Sequence, residues 1–446
     1  MFISKKRFLI SDYLNIALGL IPASYLAGNF ILNLNGLIIF FLGFWIFRFE
    51  LFKLKKNIFN FFLIFFFIYL ILTTFFNNYS SFEIHDLYRE NLIKSFLFLR
   101  YLLIFLVINK MAEKNILDLK YLFLISTILL SILMLDLFFQ FIFGYNVIGN
   151  KPIEQRLSSF FNEELIAGGY LQVFSFFMIF SIPLIFPYKN NKYLNYYILA
   201  PTLLVFIAIL VTNNRMPLLL FILSFFIFTL LEKNFRKYLI IFMLSCMMVF
   251  FVAQKFNPST YEKYYGFYKK ISYIMADTHG ILSGKIERYV FQIDEDIYKG
   301  GYLRSEHLRL FYTAAVLSEN NLVFGHGLKS FRLICAYNYN YNYSCSNHPH
   351  NYFIELLLDT GLIGLLSICI IFGMAIIRFL KFYFRKKKGR IIDRLFLIPP
   401  FLTLCTISFP LKSSGSFFTT NNAFIIFIML ALVINIKNLK ISNMKK

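Results

Sequence analysis

The chain has 446 residues, 59% hydrophobic and only 15% charged, which excludes an ordinary soluble domain, where about a quarter of the residues are charged. Its net charge of +22 fits Lys- and Arg-rich cytoplasmic loops of a membrane protein better than a nucleic-acid partner, and none is expected. The five cysteines show no zinc-type spacing.

Taken from the N-terminus, MFISKKRFLISDYLNIALGL has no small-residue cleavage site and is followed by more apolar spans, so it reads as a first span rather than a leader. Apolar runs near the ~20 residues needed to cross a bilayer fall at 8–28, 30–48, 58–76, 96–109, 121–144, 168–187, 195–212, 216–231, 238–253, 351–378, 395–411 and 423–436. The fourth, eighth, ninth and twelfth are short. With both termini inside, most basic residues of the short loops fall on the inner side, among them Arg48, Lys53, Lys110, Lys114, Lys233 and Arg236. That alternation supports an all-α polytopic membrane protein of about twelve helices. The expected divisions are spans one to nine over 1–253, a long helical outer loop over 254–350, and spans ten to twelve with a cytoplasmic tail over 351–446.

Within the outer loop, 305–320 (SEHLRLFYTAAVLSEN) reads as an amphipathic helix. NNLVFGHGLKSF then reads as a glycine turn in which Gly325 and Gly327 permit positive φ. The Tyr-Asn run at 337–343 reads as a solvated loop, and in an oxidising compartment a disulfide between Cys335 and Cys345 would close it.

All six histidines lie on the outer side of this topology, which argues against a proton relay through the bilayer. Two of them flank a proline at the mouth of the tenth span, in HPHNYFIELLLDTGLIGLL at 348–366. Pro349 suits the first position of a helix. His350 and Asn351 would then lie in the first turn, where free N–H groups favour an anion. Asn351, Glu355 and Asp359 share one face at i, i+4 and i+8. From Pro349 to Arg378 the helix would run about 45 Å, longer than the ~30 Å hydrocarbon core, so its first turns can stand at headgroup level and the two carboxylates need not lie deep. Gly361 and Gly364 form a small-x-x-small step that would admit a neighbouring helix. Four arginines face the same side: Arg100, Arg156 in EQRLSSFFNEELIAGG, Arg215 in VTNNRMPLLL, and Arg309 on the amphipathic helix. Singly, each reads as a snorkelling or surface-paired cation. Together with a helix N-terminus they would suit a strongly anionic group, such as a pyrophosphate on a lipid carrier.

His350-Asn351, nine residues, then Gly361-Leu362-Ile363-Gly364 resembles the H-[NSQ]-x9-G-x-x-G signature of the O-antigen ligase and polymerase superfamily. RLSSFFNEELIAG, TNNRMPLLL and HLRLFYTAAVLSENNLVFGHGLKSF resemble, in order, that family's Arg-aromatic-Asn segment, its short Arg-bearing turn, and its Arg helix followed by G-x-G-x-x-x-F. The likeness covers about 150 to 370. It departs at Glu163 and Glu164, where the family has an Asn-Pro-Asn-like stretch. It departs again at Phe311 or Tyr312, where Trp is frequent, which leaves Arg304 a competitor of Arg309 for the loop arginine. The resemblance implies a glycosyltransferase in the bacterial inner membrane, acting at the periplasmic face without metal or nucleotide cofactor. Its donor would be an undecaprenyl-pyrophosphate-linked glycan, and its acceptor lipid A–core or another glycan. Arg215 and Arg309, with Arg156, would hold the pyrophosphate, and His350 would act as general base. Either Glu355 or His348 would orient His350, and Asn351 would add to the substrate site. A polymerase joining lipid-linked repeats is the alternative within this chemistry. A lipid-linked glycan flippase is the alternative outside it, although transporters place their sites near the midplane.

Overall fold

The computed structural model describes residues 10–80, 85–153, 156–161, 164–186, 191–256, 258–282, 306–337, 345–386 and 392–441. Among them the chain is helical and has no strand beyond two isolated bridges. The helices are α1 (Ile10–Gly19), α2 (Ile21–Leu26), α3 (Asn29–Phe47), α4 (Ile58–Ser80), α5 (His85–Glu113), α6 (Lys120–Phe143), α7 (Ala167–Ile185), α8 (Asn191–Val211) and α9 (Arg215–Leu231). They continue as α10 (Arg236–Phe256), α11 (Pro258–Leu282), α12 (Glu306–Glu319), α13 (Phe331–Tyr337), α14 (Tyr352–Arg385), α15 (Ile392–Leu395), α16 (Ile398–Ile407) and α17 (Thr420–Ile434).

Every apolar run contains a helix, and among the described residues 8 helices are long and apolar enough to cross a membrane. The other runs depart in identifiable ways. The first is broken into α1 and α2 at Leu20, with Pro22 in the first turn of α2, where its missing N–H is an orphan anyway. The helices α9, α16 and α17 are only 17, 10 and 15 residues long. Conversely, the short fourth run belongs to a helix of 29 residues, because the polar stretch HDLYRENLIKS before it is helical too. The amphipathic helix expected at 305–320 is α12.

The core centres on α17, whose residues Ala423–Ile434 are all buried. A helix apolar on every side is stable only when surrounded. It packs on α5 and α16, α4 packs on both α5 and α14, and α7 lies between α6 and α8. On α10, by contrast, Ile240, Met243, Leu244, Met247, Met248 and Phe251 are exposed, the surface of a helix facing lipid.

Segments that the charge pattern assigns to one side are joined to each other. At one end Lys114 pairs with Glu50 at 2.8 Å, Lys110 Nζ donates to Lys53 O at 2.8 Å, and Leu119 N donates to Lys440 O at 3.1 Å. The buried Arg394 meets the buried Glu232 at 3.1 Å, and Glu232 also accepts from Tyr383. At the other end Asn77 Nδ2 donates to Gly325 O at 3.1 Å, Arg332 pairs with Glu90 at 3.1 Å, and Ser414 N donates to His350 O at 2.8 Å. This second end carries the histidines of the tenth run.

Candidate active site

The tenth run starts as a helix later than its proline suggests. Asn351, with φ −144° and ψ 129°, is the N-cap of α14, and its Oδ1 accepts from Phe353 N and Ile354 N. Pro349 and His350 therefore precede the helix. An Asn two residues beyond the proline satisfies the orphan N–H groups by a side-chain oxygen, which outweighs the preference of proline for a first turn. His350 takes the left-handed conformation, φ 57°, sparse for a non-glycine residue and frequent at functional sites. The Asn351 Nδ2 donates to Pro410 O at 2.7 Å and Lys412 O at 3.3 Å, so both ends of this amide are engaged in the protein. Together with the Ser414–His350 backbone bond, these contacts stitch the turn bearing His350 to the loop between α16 and α17.

Three imidazoles gather there. The rings of His348 and His350 lie 4.2 Å apart between centroids, and His307 of α12 approaches His350 edge-on at 5.7 Å. Burial, followed by the neighbouring His350, pushes His348 down to about 4. Burial also lowers His350, against a hydrogen bond with the Ser414 backbone. Both rings are therefore neutral at pH 7. The Nε2 of His348 is buried with no hydrogen-bond partner. Among the described residues no three His, Cys, Asp or Glu side chains form a metal-binding set.

The two carboxylates are enclosed by the protein rather than open to solvent. Glu355 and Asp359 are 2% and 0% exposed. Each holds a loop: Glu355 accepts from Phe417 N at 2.6 Å, and Asp359 accepts from Lys329 N at 2.7 Å, Ser330 N at 3.1 Å and Ser330 Oγ at 2.8 Å. The spacing along one helix face was legible in the sequence. The loops that cover that face came from 29 residues upstream and 62 downstream, and burial followed from them.

The glycines pair across the fold rather than admitting a helix. Gly361 interrupts α14 at φ 62° and ψ −170°, and the turn at 321–328 inserts into the break. Backbone bonds join the two: His326 N to Leu358 O at 2.9 Å, Gly327 N to Asp359 O at 2.8 Å, and Leu362 N to Leu322 O at 2.9 Å. A Cβ on Gly325 would lie 2.4 Å from Gly361 N, and one on Gly361 would lie 2.2 Å from Val323 O. Gly325 and Gly327 have φ of 80° and 88°, as the turn reading expects. Gly364 faces Thr360 of its own helix, 2.1 Å from Oγ1 to an added Cβ. From α4, Tyr69 and Thr73 both donate to Phe324 O, at 2.9 and 2.8 Å, and Thr74 Oγ1 accepts from Leu328 N at 2.9 Å. The expected disulfide, Cys335–Cys345, is present with Cα atoms 5.7 Å apart, and it ties α13 to the strand of chain that enters His348.

A second group forms around the arginines. Arg215 opens α9 directly after Asn213, at φ 56°, and Asn214, the N-cap. With its amide oriented to suit its neighbours, Asn214 donates to Leu165 O and accepts from Gly168 N. Gly168 permits that approach, since a Cβ there would lie 2.8 Å from Asn214 Cβ. Arg156 comes from the segment before α7 and is close enough to Arg215 for the two charges to interact, as is Tyr264 of α11. The backbone of Arg156 is fixed by reciprocal bonds with Ile153. The segment after it is fixed by α6: Asp136 accepts from Ser159 Oγ, and Gln140 Oε1 accepts from Ser159 N at 3.0 Å. Burial pushes the Tyr264 hydroxyl up, opposed by Arg215. That hydroxyl and Arg156 Nε are both buried without a hydrogen-bond partner. Like charges held together with open donors favour an anion between them.

Tyr25 of α2 connects the two groups. It interacts electrostatically with Glu164 on one side and with Tyr352 on the other, and its ring lies 5.6 Å from that of Tyr170. Arg309 is half-buried on α12, whose Leu310, Ala314 and Leu317 pack with Leu358 of α14. Arg100 reaches Tyr101 OH at 2.7 Å and Thr420 Oγ1 at 3.4 Å. Arg304 and Glu163 lie outside the described residues.

Sequence reasoning missed His307, Tyr264, Lys329 and Lys412. His307 stands two positions before Arg309 and belongs to no motif. Lys329 and Lys412 belong to no motif. In the fold, Lys329 interacts with His348 and Glu355, and Lys412 Nζ lies 5.1 Å above the Tyr352 ring. Burial lowers Lys412 to about 8.

No curated protein matches the chain at a significant level. Residues 200–369 match the family model described as O-antigen ligase, a stretch that runs from α8 through the Arg215 turn, α12 and the 321–328 turn to the broken part of α14. Over that stretch the chain is similar to the O-antigen ligase family.

Proposed function

We propose that the protein is a membrane glycosyltransferase that moves a glycan from undecaprenyl pyrophosphate to a hydroxyl of an acceptor such as lipid A–core, at the periplasmic face of the bacterial inner membrane. The observation that carries this reading is His350, held outside the helix in a left-handed turn beside His348, at the same end of the bundle as the Arg156–Arg215–Tyr264 group.

In this reading the neutral His350 takes the proton of the acceptor hydroxyl. The freed oxygen attacks the anomeric carbon, and the bond from that carbon to the donor phosphate oxygen breaks. The pyrophosphate leaves with the electron pair, its charge met by Arg215, Arg156 and, from α12, Arg309. One direct displacement inverts the anomeric carbon. The scheme assigns no part to a metal or cofactor. Neutrality of His350 is what a base requires, and burial beside His348 supplies it. Asn351 and Glu355 act as positioning residues: their buried side chains hold the turn of His350 and the loop after α16.

The test is the purified protein in nanodiscs with a defined lipid-linked donor and alternative acceptors. Transfer to lipid A–core, lost in His350→Ala with folding retained, is the expected result. Full activity in His350→Ala removes the base. Transfer only to a second lipid-linked repeat makes the enzyme a polymerase with the same chemistry. Arg215→Ala should weaken donor binding at least tenfold, and wild-type donor affinity in that variant removes the pyrophosphate role.

A further inference from the structure

The helix that opens the outer loop, α11, carries an apolar stripe that the bundle does not cover. Tyr264, Tyr268, Ile271 and Met275 stand at i, i+4, i+7 and i+11, one helix face about 16 Å long. The first of them rests on the bundle: the Tyr264 ring packs edge-on against Phe250 of α10, 5.5 Å between centroids. The other three are exposed, Tyr268 at 68% and Met275 at 70%. Glu262 and Lys269 lie on the opposite face and are exposed as well. Phe250 lies about 9 Å along α10 before Phe256, its last residue. A face that meets a residue so far below the end of α10 looks back along that helix, away from the outer solvent. The same face runs on past the bundle through Tyr268, Ile271 and Met275. The helix on which α11 rests is itself open to lipid along Met247, Met248 and Phe251, so the space beside the bundle at this point is bilayer.

We propose that α11 is a membrane-surface helix, its Tyr268–Ile271–Met275 face set into the outer leaflet where headgroups meet acyl chains. At 25 residues α11 is long enough to cross a bilayer but is not among the helices apolar enough to do so, the combination that marks an interfacial helix. The residues of the stripe favour lipid over a glycan or a protein partner. Tyr is enriched at membrane interfaces, its ring among acyl chains and its hydroxyl among headgroups, and Ile271 and Met275 offer a sugar no strong hydrogen-bonding group. At the flank of the stripe Lys269 Nζ lies 4.9 Å over the Tyr265 ring. A long basic side chain placed there covers apolar surface with its stem and keeps its charge in the headgroups. The stripe ends at Thr278 and His279, both exposed. In this position α11 holds Tyr264, and the Arg215 with which it interacts, near headgroup depth. Insertion involves no transfer chemistry, so it stands or falls separately from the proposed function.

Two measurements on the full chain in nanodiscs test it. The protein has a single tryptophan, Trp45, so Trp45→Phe gives a background in which Tyr268→Trp, Met275→Trp and Lys269→Trp each report one position. Lipids brominated near the top of their acyl chains should quench the Tyr268→Trp and Met275→Trp proteins at least twofold more than Lys269→Trp. Equal quenching of all three overturns the proposal. The second measurement uses the wild type: oxidation of Met275 to the sulfoxide by peroxymonosulfate, an anionic oxidant confined to water, followed by mass spectrometry. A soluble methionine peptide in the same sample is the reference. Met275 should oxidise at least tenfold more slowly than the peptide. A rate near that of the peptide puts the face in water and overturns the proposal. Protection from oxidation without quenching by brominated lipid assigns the face to a protein surface, such as a second copy of the chain, and overturns it as well.

Discussion

Replacing Gly361 by Ala should separate the turn at 321–328 from α14. The added methyl meets two obstacles. Gly361 has φ 62°, and an L-residue with a side chain in the left-handed region costs about 1–2 kcal/mol. The methyl would also sit 2.2 Å from Val323 O and 2.4 Å from Val323 C, far inside van der Waals contact and against backbone, which cannot turn away as a side chain can. Relief requires the turn to retreat, and retreat breaks the bonds from His326 N, Gly327 N and Leu362 N, each worth about 1 kcal/mol net. Strain of about 1–2 kcal/mol and three lost bonds make the loss of folded stability roughly 4–5 kcal/mol. The turn carries Lys329 and Ser330, which Asp359 holds, so undocking also leaves a buried carboxylate without its donors. Hydrogen exchange of the protein in nanodiscs is the assay. Amides of 321–330 should exchange at least a hundredfold faster in Gly361→Ala, with transfer activity lost and the far end of the bundle unchanged. Gly373→Ala, on the same helix with nothing within 4 Å of the added carbon, is the control and should match the wild type. Wild-type exchange over 321–330 in Gly361→Ala would show that the break in α14 is not held by this turn.

The remaining expectations concern charge and covalent links. His348 is pushed down to about 4 in the fold, against about 6.5 in an unfolded chain. Between those values the unfolded chain binds more protons, so stability falls as pH drops from about 6.5 to about 4; thermal melts across that window should show the fall, and His348→Asn should flatten it. The lowered His350 places the acidic limb of the kcat/KM profile below pH 6.5, and a limb centred above 7 would contradict that. Arg394→Ala leaves Glu232 buried and uncompensated, with side-chain exposures of 5% and 3% in the pair. It should destabilise by about 3–5 kcal/mol, and Arg394→Ala with Glu232→Gln should melt higher than Arg394→Ala alone. Reducing Cys335–Cys345 opens a loop of separation 10, a loss of roughly 2–3 kcal/mol in the chain-entropy account. Melting with and without reductant, compared with Cys335→Ser, measures it.

The sequence by itself determined the helical membrane class, the positive φ of Gly325 and Gly327, and the pairing partners Cys335 and Cys345. Those properties are local or compositional: apolar length, basic residues at span ends, and glycine where a turn must reverse. It also brought Arg156 and Arg215 forward as candidates, each in a short segment beside a span, and the fold places them together. Tertiary structure alone decided what the motif residues touch. Asn351 could have been a first-turn residue or a cap, and the loop at 410–414 made it a cap with both amide ends engaged. Glu355 and Asp359 could have stood open to solvent, and two loops distant in sequence buried them. Gly361 could have seated a helix, and it receives Val323 and Gly325 instead. His307 and Lys412 carried no local signal, because a residue's contacts across a fold depend on which distant segment supplies the hydrogen bonds that its neighbours leave open.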